Sequence, residues 1–255
     1  IMNFSGKRLR NKMYEELSNV YDILTADAQY DKRYSYLKEL FERFDRMPTL
    51  LLDLACGTGS FSRRFANDGV SVIGADSSPE MLSIAASKDC RNILYICQKA
   101  QELELYGTVD GAICCLDSLN HITDYGDFCT ALKKVSMFLE KDRLFIFDVN
   151  TLFKHREVLG NNTIVKEEEN AVCIWQNELL NDEKTVNIYL DLFKEEENGL
   201  YSRSFDFINE RAYTEDEIEN ALNEANLKKI EIFGEFTFNA PSSDCERAVY
   251  ITKKI

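Results

Sequence analysis

The stretch Leu51-Leu52-Asp53-Leu54-Ala55-Cys56-Gly57-Thr58-Gly59-Ser60-Phe61 limits what this chain can fold into more than any other. It runs from an apolar strand through a two-glycine turn into the start of a helix. Gly57 and Gly59 lack a Cβ, so the backbone can reverse tightly and a ligand can lie against it. The helix that follows presents unpaired N–H groups at the same place. Such a unit belongs to an open α/β sheet, whose ligands bind in the crevice at the carboxyl ends of the strands. The neighbouring sequence repeats the rhythm. Apolar runs at Leu50–Leu54, Val70–Ala75, Ile93–Cys97, Ala112–Leu116 and Leu144–Val149 are expected as parallel strands buried on both faces. Between the last two, Phe128, Leu132, Val135 and Leu139 recur at helical spacing and would face the sheet. Ser78-Pro79 marks another helix start, with Ser78 as cap and Pro79 in the first turn.

After Thr151 the period changes. From about Thr163 to Phe207 the chain alternates like antiparallel strands, with Val186, Ile188, Leu190 and Leu192 on one face and Thr185, Asn187, Tyr189 and Asp191 on the other. The runs Glu167-Glu168-Glu169 and Glu195-Glu196-Glu197 are expected in solvated turns. The α/β pattern resumes at Thr214-Glu215-Asp216-Glu217, a capping box, with Ile218, Ala221, Leu222 and Ala225 on one helical face. Strands at Lys229–Phe233 and Arg247–Thr252 follow. The expected organisation is N-terminal helices over 1–47, a core formed by 48–152 and 210–255, and a β insert over 153–209.

Charge narrows the partners. Thirty basic against forty-four acidic residues leave a net charge of −14, which repels phosphate backbones. Nucleic acid is not expected as a partner. No run approaches the ~18 apolar residues of a membrane span, and Ile1 to Lys12 is polar and basic, unlike a signal peptide. Of eight cysteines, Cys97, Cys114 and Cys115 fall in apolar runs, where a thiol acts as a small hydrophobe. No C-x-x-C pair or cysteine–histidine spacing suggests zinc. A reducing cytoplasm, no metal, and a monomer or homodimer are expected.

The glycine turn also narrows the ligand. A dinucleotide fingerprint would need a third glycine where Ser62 stands. Asp76, at the tip of the second strand, can accept from both ribose hydroxyls. Asp53 adds a second carboxylate that would repel a pyrophosphate but not a zwitterionic sulfonium. A nicotinamide-dependent oxidoreductase is therefore disfavoured. Asp53 to Gly59 resembles the first motif, D/E-x-x-x-G-x-G, of class I S-adenosylmethionine-dependent methyltransferases, in the A-C-G-T-G form of their small-molecule branch. Tyr14…Tyr21-Asp22, Asp76-Ser77-Ser78-Pro79-Glu80-Met81-Leu82, Asp117-Ser118-Leu119-Asn120-His121-Ile122 and Phe147-Asp148-Val149-Asn150-Thr151 resemble its other segments in order.

The resemblance implies a Rossmann-like, doubly wound seven-stranded sheet whose last strand, Arg247–Thr252, is antiparallel, with the β insert as an acceptor-side lid. It implies S-adenosyl-L-methionine as cofactor and a small-molecule methyl acceptor, an amine ahead of a hydroxyl. Backbone at Ala55, Cys56 and Gly57 would meet the methionine part. Asp76 would hold the ribose, Ser77 and Met81 would flank the adenine, and Leu116 with Asp117 would lie near the adenosyl group. Tyr14, Tyr21 and Tyr34 would close the site. The chain departs from the family in two places. Lys99 stands where an acidic residue usually accepts from the adenine amino group, and lysine cannot accept, so Gln98, Gln101 or backbone near Lys99 and Ala100 must serve. Lys141-Asp142-Arg143 replaces the usual proline-glycine turn.

Methyl transfer is a displacement, for which the protein mainly aligns the reactants and excludes water. A proton acceptor is optional, and the candidates are His121, Asp117 and Tyr14. His121 could be a base or a loop histidine, and His155 likewise. Asp117 could deprotonate or merely orient a loop, and Asp148 to Asn150 could line the acceptor or simply end a strand. Trp175, Tyr189 and Tyr201 could wall an acceptor pocket or form the insert's own core. A non-catalytic adenosyl-cofactor-binding or interaction module is the alternative reading.

Overall fold

The computed structural model describes residues 28–88, 90–168, 170–196 and 198–255; Tyr14 and Tyr21 lie outside them. Helix α1 (Tyr30–Phe44) leads into β1 (Leu50–Leu54), α2 (Ser60–Asn67), β2 (Ser71–Asp76), α3 (Pro79–Ser87), β3 (Ile93–Cys97) and β4 (Gly111–Cys114). Helix α4 (Tyr125–Phe138) and β5 (Leu144–Asn150) complete the first half. Four strands follow: β6 (Thr163–Glu168), β7 (Ala171–Leu179), β8 (Thr185–Glu195) and β9 (Tyr201–Arg211). The chain then returns through α5 (Glu215–Glu224), β10 (Leu227–Gly234) and β11 (Arg247–Lys254).

The main sheet has seven strands in the order β10-β11-β5-β4-β1-β2-β3. β1 pairs parallel with both β2 and β4, so strand order reverses at that point and a crevice opens there. β11 is antiparallel to β5 and β10, as expected of Arg247–Thr252. Successive strand side chains take opposite faces. Leu52, Leu54, Cys114, Phe145 and Phe147 meet Phe128 and Leu132 of α4 and Ile218 and Leu222 of α5. Leu51, Ile113 and Ile146 meet Leu40 and Phe41 of α1 and Phe65 of α2. The Ser78 cap on α3 and the Thr214–Glu217 capping box on α5 form as expected.

β3 departs from the expectation of strands buried on both faces. It is the sheet edge and alternates between half-buried and exposed residues, with Leu94 59% exposed. Cys97 is exposed there, while Cys114 and Cys115 are buried. Asp142 takes the positive φ of 63° that glycine usually supplies in the turn before β5, a conformation aspartate tolerates better than most residues.

The insert is a four-stranded antiparallel sheet, β6-β7-β8-β9. Val186, Ile188, Leu190 and Leu192 cluster with Leu159, Cys173 and Ile208 on its inner face. Trp175 pairs with Leu190 and shares that face; Tyr189 pairs with Phe207, and Tyr201 with Glu195, on the other. The three aromatics form neither a shared wall nor one core: Trp175 packs on the insert's inner cluster, while Tyr189 and Tyr201 lie on the other face. Glu167 and Glu168 belong to β6 and Glu195 to β8 rather than to turns.

Candidate cofactor site

The site is built where β1 and β4 end. A cleft there is lined by Asp53, Ala55, Cys56, Gly57 and Phe61 on one side, Cys115, Leu116 and Ser118 on the other, and Tyr30 of α1. A second groove beside Leu222, Lys229 and Ile255 has neither glycine turn nor strand carboxyl ends.

The turn after β1 is held in an unusual backbone shape. Ala55, Gly57 and Gly59 have φ of 56°, 52° and 75°. A Cβ on Gly57 would enter open space, whereas one on Gly59 would collide with the Tyr95 hydroxyl. Gly57 thus leaves its main chain open, and Gly59 lets β3 pack beneath the loop. Asp76 fixes the turn from the next strand: one carboxylate oxygen accepts from Gly57 N at 2.8 Å and the other from Ser78 N at 2.8 Å. Across the cleft, Leu116 and Asp117 also have positive φ, 58° and 51°. Asp148 steadies them, accepting from Leu116 N at 2.9 Å and Asp117 N at 2.7 Å. Three non-glycine residues in this region around one cleft store strain that the surroundings enforce, as at functional sites. The sequence carries no sign of it, since neither Ala55 nor Leu116 favours positive φ.

Asp53 sits beneath the glycine turn, 2% exposed, and accepts from the Ser62 hydroxyl at 2.5 Å. Ser62, which breaks the dinucleotide fingerprint, is thus the partner of a buried acid. Burial pushes Asp53 up to about 7, the hydrogen bond from Ser62 opposing. Burial also raises Asp76, against the N–H bonds of Ser78 and Gly57. The folded chain therefore keeps a proton on Asp53 that the unfolded chain has lost. Its contribution to stability falls as pH rises from about 4 to about 7, by up to roughly 1.4 kcal/mol per unit, and is flat above. We predict that Asp53→Asn gains stability relative to the natural chain between pH 5 and pH 8 in urea unfolding; a difference that stays constant with pH would remove the buried-acid account.

The remaining expected residues separate into two groups. Met81 is buried at the first turn of α3 and Ser77 is exposed beside it. Gln98 is turned away from the cleft's loop: its Oε1 accepts from Glu104 N at 2.8 Å and its Nε2 donates to Glu104 O at 3.3 Å. Lys99 is exposed and pairs with Glu102, and Gln101 donates to Asp127. Ala100 begins a single turn of 3-10 helix. The Gln98 amide thus closes a local loop with Glu104, while that of Gln101 reaches across to α4 at Asp127. Tyr34 packs edge-on against Phe65 of α2 and does not line the cleft. Tyr30, one helical turn earlier on the same face, does so instead and packs against Phe61.

Beyond the cleft lies a buried polar cluster the sequence did not announce. Arg247 of β11 reaches Asp117 at 2.7 Å, Asp148, and Glu235 at 3.1 Å. Burial works against its charge, but Asp117, Asp148 and Glu235 together hold it firmly ionised. Conversely, burial would raise Asp117, yet Arg247 foremost, then His121 and Lys154, hold it well below the usual carboxylate range. Asn150 donates from Nδ2 to Asp117 at 2.7 Å and to Glu210 of β9 at 3.0 Å. Asn120 donates to the Arg211 and Asn150 carbonyls, tying the insert to β5. Asp117, His121 and Glu210 come close enough to suggest a metal, but both Asp117 oxygens are already committed to Arg247 and Asn150.

The residues fit a sulfonium-bearing nucleoside. Among the described residues, Asp53 and Asp76 are bonded by Ser62 and by the Gly57 and Ser78 amides, with no guanidinium or ammonium on either. Two acids beside an open backbone suit an amino acid sulfonium and a ribose, and would oppose a pyrophosphate.

Comparison with known proteins agrees. Residues 51–142 match a methyltransferase domain family. An S-adenosylmethionine-dependent methyltransferase from Clostridium acetobutylicum superposes with a TM-score of 0.84 at 30% identity, over 94% of this chain and 98% of that one. The inferred methyltransferase YqeM of Bacillus subtilis is 31% identical across 95% of this chain and 97% of its own length. An amino pentose methyltransferase from Micromonospora echinaspora, solved with S-adenosylmethionine bound, shares the fold at 15% identity, with a TM-score of 0.76 and 99% and 100% coverage. With its reversed strand order, glycine cradle and paired acids, the chain belongs to the class I S-adenosylmethionine-dependent methyltransferases, and it is an enzyme rather than a non-catalytic binding module.

Proposed function

We propose that this enzyme methylates the nitrogen of a small-molecule amine. The observation that carries the reading is the charge around the acceptor end of the cleft. Asp117, Asp148, Glu210 and Glu235 gather there against two cations, Arg247 on the first two and on Glu235, and Arg33 on Glu235. A surplus of desolvated acid favours a cationic guest, and an amine arrives as an ammonium. Support comes from the amino pentose methyltransferase of the same architecture, whose acceptor is an amino sugar by its name. The net charge of −14 disfavours nucleic acid as acceptor.

When bound, the cofactor supplies an electrophilic methyl group on sulfur. The chain's own residues divide the remaining work. Asp76 holds the ribose, and the open backbone of Ala55, Cys56 and Gly57 takes the methionine part. Asp53 braces the turn from beneath through Ser62, and Tyr30 with Phe61 excludes water on the α1 side. Leu116 and Asp117 face the adenosyl group, and the insert covers the acceptor. A metabolite extract incubated with enzyme and methyl-labelled cofactor tests this. The label is expected in cation-exchange-retained products, on nitrogen by mass spectrometry; label on oxygen or in macromolecules would overturn it.

A further inference from the structure

Two borders of the cleft are set by distant parts of the chain, and a run of charges joins them behind the opening. Tyr30 of α1 forms one border, packed edge-on against Phe61, and Leu116 after β4 forms another. Arg33 follows Tyr30 by three residues and so shares its face of α1. Its Nη2 lies 2.5 Å from Glu235 Oε1, in the loop between β10 and β11. The same oxygen lies 3.1 Å from Arg247 Nε. Arg247 continues to Asp148, whose carboxylate accepts from the Leu116 and Asp117 amides. Tyr30 and Leu116 are thus connected through Arg33, Glu235, Arg247 and Asp148.

The loop that supplies Glu235 is fitted against α1. Lys32 Nζ and the Arg33 guanidinium lie over the Phe236 ring, 4.0 and 4.9 Å from its centroid. The Tyr36 hydroxyl donates to the Thr237 carbonyl at 2.6 Å, and its ring packs 5.5 Å from that of Phe238. Phe236 has a φ of 58°, which a bulky residue keeps only where its surroundings enforce it. On its other flank, α1 is tied to α2 by Asp31 and Arg64 at 2.8 Å, but Asp31 is 93% exposed. Such a solvated pair contributes little. Arg33 and Glu235 are 13% and 29% exposed, so water and salt screen their attraction less. The Glu235 side therefore carries more of the restraint on α1.

The pairing depends on charge rather than on aim. Among the described residues, no donor is aligned for a hydrogen bond to Glu235 Oε1. A cation of similar reach can therefore stand in for Arg33. Glu235 also separates Arg33 from Arg247, and without its charge the two guanidinium groups would repel each other across the gap.

We propose that Arg33 and Glu235 are positioning residues for the cofactor, whose ion pair keeps α1 and Tyr30 closed toward Leu116 while the adenosyl ligand is bound. The inference rests on the cofactor occupying this cleft and is independent of the acceptor's chemistry. Loosening one border shortens the stay of a bound ligand more than it slows arrival, since changes within one binding site fall mostly on the dissociation rate.

Release of radiolabelled adenosylhomocysteine from the full chain, chased with unlabelled ligand, measures that stay, and titration calorimetry gives affinity and stoichiometry. Arg33→Gln is expected to speed release roughly five- to tenfold, within the range of coupling between contacting charges, at unchanged stoichiometry. Arg33→Lys should restore most of the loss. Glu235→Gln, the second variant, should release at least as fast as Arg33→Gln, and adding Arg33→Gln to it should bring no further loss. Asp31→Asn, which removes the exposed tie to α2, should stay within about twofold of the natural chain. Release from Arg33→Gln within about twofold of the natural rate overturns the proposal. So does an Arg33→Lys as fast as Arg33→Gln, because the bond from Arg33 Nε to the Ala28 carbonyl at 2.7 Å, not the charge, would then hold the helix. A fall in stoichiometry with unchanged release also overturns it, as the mark of a deformed site. Asp76→Ala, measured alongside, shows which premise failed: natural affinity there places the cofactor elsewhere, whereas a loss confined to Asp76→Ala keeps the cleft and removes only the role of Arg33 and Glu235.

Discussion

Arg247→Ala is expected to lower the free energy of unfolding by about 3–5 kcal/mol, the usual cost of stranding one side of a buried ion pair. The guanidinium serves Asp117, Asp148 and Glu235 together. Its removal leaves Asp117 and Asp148 without their guanidinium in a dry region, while Glu235 keeps Arg33 alone. Urea unfolding gives the measurement. Arg247→Lys keeps the charge but not the planar fork, so it should fall between. A cost for Arg247→Ala below about 1 kcal/mol would falsify the claim that these acids depend on it, since that is the worth of a solvated surface pair. Because Asp148 also holds the Leu116 and Asp117 amides, the same variant should loosen the cleft wall and weaken cofactor binding.

The second large effect concerns Asp76. If its carboxylate holds two ribose hydroxyls as proposed, Asp76→Ala should weaken adenosylhomocysteine binding on the order of 100-fold, from two charge-assisted hydrogen bonds worth roughly 1.5 kcal/mol or more each. Titration calorimetry reads this directly. Asp76→Asn separates ligand contact from loop support: it retains one acceptor for Gly57 N or Ser78 N and lacks the charge. It should fall between alanine and the natural residue. Equal affinity in all three proteins would move the ribose elsewhere.

Most of the sheet could be read from the chain because strands buried on both faces leave continuous apolar runs. The capping box of α5 and the alternation in β8 are equally local signals. What escaped was set by distance. β3 is as apolar as its neighbours, yet nothing within it records that it lies at the sheet edge. The partners of Arg247 are spread over the turn after β4, β5 and the loop after β10, and Glu210 belongs to the insert. Tyr30 and Tyr34 share one face of α1, and only the placement of that helix against the strand ends decides which reaches the cleft. The strained backbone at Ala55 and Leu116 leaves no mark in residue type. Ser62 was legible as a broken fingerprint but not as the partner of Asp53.

The position of β11 has a consequence for synthesis on the ribosome. β11 fills the slot beside β5, and Arg247 follows Asp148 by 99 residues. At ordinary elongation rates of about 5–20 residues per second, the nascent β5 edge waits several seconds for its neighbour. During that interval, the 144–150 segment presents an apolar ladder edge that invites chaperones or misregistered pairing, and the growing chain cannot close its sheet until the whole insert, α5 and β10 have emerged.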